Sequence, residues 1–225
     1  MTLILLICFG FAIIDWIAVA KKYNRLEYVA KPATLLLLTL WFLFKLPIPP
    51  PPFGVWFLLG LALSLIGDIF LMLPEEHFIK GLIAFLLAHL SYVIAFNLTG
   101  VVMNLESLLI ALAIALVTWI FLRRMVDSLR ASGKTSMMAP VIIYAVVLAL
   151  SLWAAATRML HPDWRPIAGW LAAIGGTLFY ISDAAIAWNR FVGPHPGGRL
   201  FEMITYHLAQ FVLSIGVLML IVDII

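Results

Sequence analysis

The chain has 225 residues, 65% of them apolar and 11% charged, with 14 Lys and Arg against 11 Asp and Glu, and a mean hydropathy of +1.13. Soluble domains are nearer half apolar and a quarter charged, which excludes a soluble enzyme, a nucleic-acid reader and a disordered tail and makes the bilayer the solvent. A span needs about 20 apolar residues, so the chain is expected to be a single integral membrane domain, 1–225, with its chemistry inside the bundle.

Apolar runs separated by a few residues occur at Thr2–Ala20, Ala30–Phe44, Gly54–Leu73, Phe78–Leu98, Leu105–Leu122, Met138–Leu160, Pro166–Trp188 and Leu200–Val222. They are too long and too unalternating for barrel strands, so the fold class is all-α, a polytopic bundle of eight helices. The first run is read as an uncleaved span, because Met1–Gly10 lacks a basic start and Asp15 interrupts the apolar stretch. Its Cys8, the only cysteine, reads as small core filler. The second run is short, opens at Lys31-Pro32, and is stopped by Pro47 and Pro49–Pro52, which form a stiff connector. Residues Arg123–Lys134, polar and carrying Gly133, read as the midpoint connector.

Loops after odd-numbered spans hold Lys21, Lys22, Arg25, Lys31, Lys80, Arg123, Arg124, Arg130, Lys134, Arg190 and Arg199, eleven of the fourteen basic residues. The other side holds Lys45, Arg158 and Arg165. The positive-inside rule makes the first side cytoplasmic and both termini extracytoplasmic, in a cell (inner) membrane.

Ionisable side chains inside spans are costly and mark candidate sites. Here they are Asp15, Asp68, His89, Asp183 and His207, with Glu202 near an end. At about 1.5 Å per residue, Asp68 and Asp183 lie roughly 8 Å below the cytoplasmic surface, His207 about 10 Å and His89 about 16 Å. Helical spacing extends them into stripes: Phe85, His89, Tyr92 and Phe96 on the fourth helix, and Tyr206, His207, Gln210 and Ser214 on the eighth. Ser64 lies one turn from Asp68, and Gly169, Gly176, Asp183 and Arg190 recur every seven residues. Asp15 and Glu202 read as structural. Asp68 precedes His89 by 21 positions and Asp183 precedes His207 by 24, which suggests a pseudo-repeat of 1–122 and 138–225 as two parallel four-helix halves.

Several motifs together are more specific than any one of them: Lys31-Pro32, Gly67-Asp68-Ile69-Phe70-Leu71-Met72-Leu73, Phe78-Ile79-Lys80-Gly81-Leu82, Phe85 through Ala88-His89-Leu90-Ser91-Tyr92, Ile181-Ser182-Asp183 with Asn189-Arg190-Phe191, and Thr205-Tyr206-His207-Leu208-Ala209-Gln210. This ordered set resembles the YhhN-like, or lysoplasmalogenase, family over nearly the whole chain. The resemblance implies an eight-span hydrolase that cleaves the vinyl-ether bond of lysoplasmalogens to a fatty aldehyde and a glycerophosphoethanolamine or glycerophosphocholine. The aspartates of its Gly-Asp and Ser-Asp motifs fall on Asp68 and Asp183. Tyr206-His207 stands where the family pattern leads us to expect two tyrosines.

The chemistry suits the residues. Vinyl-ether hydrolysis begins with a proton delivered to the alkene carbon and continues through an oxocarbenium ion captured by water, so it calls for a protonated and an ionised carboxylate, as glycoside hydrolysis does. Arg190, two turns from Asp183 on its face, favours Asp183 as the ionised partner and Asp68 as the acid. His89, Tyr92, Tyr206, His207, Gln210 and Ser182 are expected to orient water or a substrate hydroxyl, and Lys31, Lys80, Asn189 and Arg190 to receive the phosphate and head group. The partners expected are a lysophospholipid and bilayer lipids, with no nucleic acid, no cofactor and no metal. Two other readings stay open: a zinc-dependent lipid hydrolase using His89, His207, Asp68 and Asp183, and a proton-coupled transporter.

Overall fold

The computed structural model describes residues 2–73 and 77–221. Eight helices cross the bundle: α1 (Thr2–Lys21), α2 (Asn24–Lys45), α3 (Pro52–Met72), α4 (Phe78–Asn97), α5 (Leu105–Ala131), α6 (Met138–Ala156), α7 (Pro166–Phe191) and α8 (Gly198–Ile221). Each is long and apolar enough to span a membrane, and the chain is a multi-pass membrane protein. Val222, the expected end of the last helix, lies outside the described residues.

Two boundaries differ by more than five residues from the sequence reading. Helix α2 starts at Asn24, not Ala30, and Pro32 lies inside it. The polar turns before Ala30 lack the hydropathy of a span, but Glu27 is buried there and pairs with Arg199 of α8, which holds the extra turns against the bundle. Helix α5 continues past Leu122 to Ala131, so most of the expected Arg123–Lys134 connector is helix. Met125 and Leu129, four residues apart, bury against Val141 of α6 while Asp127 and Arg130 stay exposed. That is the pattern of an amphipathic end rather than a loop.

Lipid tails are as apolar as leucine, so helices in a bilayer associate through close packing and polar contacts. The α3–α4 seam is made this way. Gly60 lies under the ring of Tyr92 and Gly67 under that of Phe85; a Cβ on Gly67 would fall 2.6 Å from the Phe85 ring. Both pairs are seven residues apart, so two antiparallel helices meet in register.

At the opposite end, wholly buried Arg158 closes the bundle. It donates to the carbonyls of Phe96 at 2.8 Å and Gly100 at 2.7 Å and to Thr99 Oγ1 at 3.0 Å. The last carbonyls of a helix have no intrahelical donor, and a cation from the end of α6 supplies one for α4. Helix α5 is the outlier: Ser107, Met125 and Leu129 are its buried residues, and it meets the bundle along one side, where Ile110 and Ile114 pack against Leu152 and Ala156 of α6 and Ala173 of α7.

Candidate active site

Asp68 and Asp183 sit in two adjoining polar clusters, each assembled from helices distant in sequence. Asp68, fully buried on α3, receives the Lys31 ammonium of α2 at 3.1 Å on Oδ1 and the Tyr206 hydroxyl of α8 at 2.8 Å on Oδ2. The ammonium also lies 5.8 Å from the Tyr206 ring centroid. Asp183, on α7, is approached on Oδ2 by two groups: His89 Nε2 of α4 at 2.9 Å and the Tyr144 hydroxyl of α6 through a short bond. The other ring nitrogen of His89 lies 3.2 Å from Ser151 Oγ, also on α6.

Aromatic rings separate the clusters. The Phe179 ring centroid is 4.6 Å from that of His89 and 5.5 Å from that of Tyr206, and Phe85 meets Tyr206 edge-on at 5.8 Å. The two acids are therefore neighbours across a wall of rings. Each aspartate is held by a helix pair other than its own: α3's by Tyr206 of α8, and α7's by His89 of α4.

The seven-residue stripe on α7 explains what Asp183 faces. Gly169 lies against the backbone of Arg158 and Met159, and Gly176 against Ala155, so the stripe is the α6-facing surface of α7 and Asp183 is its next member. Tyr144 and Ser151 on α6 and Arg158 in the 3-10 turn that follows it (Thr157–Leu160) are themselves spaced by seven. Antiparallel packing sets Arg158 beside Gly169 and Tyr144 beside Asp183. Tyr144 and Ser151 were absent from the sequence-derived site, although that spacing was there to be read.

The remaining candidates fall as follows. The Tyr92 hydroxyl donates to Gln210 Oε1 at 3.0 Å and lies 3.5 Å from Ser64 Oγ. Ser182 donates to the carbonyl of Glu202. His207 Nδ1 accepts from the Trp16 indole at 3.0 Å, which fixes the ring hydrogen on Nε2. His207 Nε2, Gln210 Nε2, Ser214 Oγ and both carboxylate oxygens of Asp15 have no hydrogen-bond partner among the described residues. Asp15 and Glu202, read from sequence as structural, are both buried, Asp15 completely. Lys31 is turned inward to Asp68 rather than outward to a head group. Lys80 lies over the Phe70 ring at 5.9 Å and Arg190 over Phe78 at 4.6 Å, while Asn189 accepts from the His195 amide. Asp183 is hydrogen-bonded by His89 and Tyr144 rather than by Arg190 of its own helix.

A narrow apolar cavity of about 70 Å³ opens in front of Asp183 among α3, α4, α5, α6 and α7, lined by Phe78, Phe85, Tyr144, Tyr180, Asp183 and Phe191 among others. Among the described residues that line it, Asp183 is the one carboxylate, and Asp68 is not among them. Among the described residues no three His, Cys, Asp or Glu side chains come together as a metal-binding set. A buried carboxyl held on one oxygen beside an apolar cavity can, chemically, exchange a proton with an apolar molecule bound there.

Residues 26–217 match the YhhN family. The chain is 34% identical to the lysoplasmalogenase TMEM86B of Sus scrofa over 161 residues, 70% of this chain and 61% of that protein. It is 33% identical to the lysoplasmalogenase TMEM86B of Mus musculus over 189 residues, 84% of this chain and 73% of that protein. With the lysoplasmalogenase TMEM86A of Homo sapiens it shares 31% identity over 163 residues, 70% of this chain and 62% of that protein. The aligned regions thus span about three-fifths to three-quarters of these curated relatives. No solved structure matches the chain. The family match covers most of the chain, including both aspartates, and the chain belongs to the YhhN family.

Proposed function

We propose that the protein is a lysoplasmalogenase, hydrolysing the vinyl ether of a 1-alkenyl lysophospholipid to a fatty aldehyde and a glycerophosphoethanolamine or glycerophosphocholine. The observation that carries this reading is the position of Asp183, the carboxylate on the apolar cavity, with Oδ2 taken by Tyr144 and His89. Its other oxygen is left for the substrate.

In this reading Asp183 acts first as acid and then as base. Protonated on the free oxygen, it delivers its proton to the alkene carbon remote from the ether oxygen, and the Tyr144 and His89 donors stabilise the carboxylate that results. The oxocarbenium ion formed lies among aromatic faces, Phe85 among them, which attract a cation. The Asp183 carboxylate then takes a proton from water as its oxygen bonds to the cationic carbon. The hemiacetal so formed collapses, its C–O bond to glycerol breaking with transfer of a proton to the leaving oxygen. One water is consumed, and aldehyde and alcohol are released.

Asp68 is assigned a different task. Its ion pair with Lys31 anchors the Tyr206 hydroxyl, and the Tyr206 ring abuts Phe85 and Phe179 beside His89. This reverses the division of labour suggested by the Arg190 spacing, because the cation sits on Asp68. Arg190, Asn189 and Lys80, near the end of the cavity marked by Phe78 and Phe191, are proposed to receive the phosphate. Their side is proposed to be cytoplasmic, with both termini outside. The exchange of partners between α3–α4 and α7–α8 supports the two-half organisation.

The test is aldehyde release by purified protein from 1-alkenyl lysophospholipids differing in head group. Asp183→Asn is expected to lose about 10²–10⁴-fold in turnover, the usual contribution of a general acid. Wild-type protein that releases no aldehyde, or an Asp183→Asn variant that keeps its rate, would overturn the reading.

A further inference from the structure

The cavity before Asp183 holds only a few heavy atoms, enough for a reacting vinyl ether but not for the chain attached to it. A second hollow shares part of its wall with it, at Thr118 and Leu122. Between the outer faces of α5 and α6 runs an apolar groove of about 810 Å³, more than ten times the volume of the cavity, lined by Leu108, Ala111, Ala115, Val146 and Ala149 among others. That volume falls within the roughly 300–1,000 Å³ of ligand clefts.

Thr118 and Leu122 line both hollows. At that junction Thr118 Oγ1 and the Tyr180 hydroxyl lie 2.8 Å apart, α5 to α7, and Tyr180 belongs to the wall of the Asp183 cavity. From Thr118 the groove follows α5 to Leu105, a run of about 20 Å at 1.5 Å per residue. One leaflet's share of a ~30 Å hydrocarbon core is about 15 Å, so the groove can hold a single fatty chain along its length. Its width comes from the small residues Ala111, Ala115 and Ala149, on a stretch of α5 where Ile110 and Ile114 hold the helix against α6 and α7.

We propose that the α5–α6 groove seats the fatty chain of the substrate, and that the Thr118–Tyr180 bridge marks where the chain passes from the groove to Asp183. The proposal rests on the vinyl-ether reading for its reaction, and on the wall that the two hollows share at Thr118 and Leu122 for its path. The groove thereby sets chain-length preference. A chain too short to pass Thr118 gains nothing from it, and a longer one gains contact with each carbon that enters.

Two measurements test it. The first compares kcat/KM for 1-alkenyl lysophospholipids of 8, 12, 16 and 18 chain carbons in wild type, Ala111→Trp and Ala149→Trp. Both tryptophans fill the groove away from Asp183. The 16-carbon to 8-carbon ratio of kcat/KM is expected to fall at least tenfold in either variant. A uniform loss across lengths, or an unchanged ratio, would overturn the proposal. The second readout needs no turnover: a 1-alkyl lysophospholipid with a photoreactive diazirine at the chain terminus is irradiated with wild-type protein in nanodiscs, and adducts are mapped by mass spectrometry. Labelling concentrated in 105–118 and 146–153 and competed by unlabelled lysolipid supports the seat. Labelling elsewhere, or equal labelling of the groove by a diacyl phospholipid probe, overturns it. Adducts in the groove from a protein that releases no aldehyde would overturn the assigned reaction while leaving the chain seat in place.

Discussion

Lys31 and Asp68 meet at 3.1 Å where neither side chain keeps more than a few per cent of its surface. Removing one partner of such a buried pair strands the other charge, at a typical cost of 3–5 kcal/mol, whereas replacing both with apolar groups is often neutral. Lys31→Met is therefore expected to lower thermal stability sharply, and Lys31→Met with Asp68→Leu to recover most of the loss. Melting curves of the two variants in one detergent check this; a double variant no more stable than Lys31→Met would contradict it.

Tyr144 donates to the carboxylate that faces the cavity. Hydrogen bonds to charged groups are worth about 1.5–3 kcal/mol, so Tyr144→Phe is expected to slow aldehyde release about ten- to hundredfold, with the loss in kcat rather than KM. A KM effect alone would mean that Tyr144 serves binding and not the acid.

Gly67 carries the Phe85 ring directly on its backbone. Overpacking of a tight seam costs about 1–3 kcal/mol, and here the displaced ring is part of the cavity wall. Gly67→Ala should lower both melting temperature and turnover, and a second change, Phe85→Leu, should restore stability more than activity. Equal recovery of both in the double variant would show that the ring has no part in turnover.

Arg158, in the turn after α6, spans to the Phe96 carbonyl in the last turn of α4 and the Gly100 carbonyl just beyond it. Arg158→Met fills a similar volume and supplies no donor, so the loss is expected to be about 2–3 kcal/mol, in line with charged hydrogen bonds. Proteolysis of the variant should begin in the α4–α5 connection, near Gly100. Cleavage confined to other loops would show that the cap does not hold this end.

The sequence was most informative where hydropathy or charge spoke alone. Eight apolar runs became eight helices, and scarce intramembrane charges picked out both aspartates. It was least informative where a segment is amphipathic: the start of α2 and the end of α5 look like loops because their burial depends on Arg199 and Val141, far along the chain. Partner choice was illegible for the same reason. Arg190 shares a helix face with Asp183, but His89 and Tyr144 reach it from α4 and α6. Of the two, Tyr144 could have been found, since its spacing with Ser151 and Arg158 mirrors the glycine stripe it packs on. Lys31 could not, because nothing local distinguishes a lysine that turns inward from one that rests at the interface.

The crossing of partners bears on how the protein is made. Asp68 lacks Tyr206 until α8 is in place, and Asp183, inserted with α7, finds His89 only if the first four helices have already assembled. A nascent chain that has threaded only its first half into the membrane carries one aspartate paired with a lysine and no carboxylate on the cavity. Fragments arrested at the ribosome or cut between α5 and α6 would thus be chemically quiet, and the bilayer around them would be spared a partly built acid.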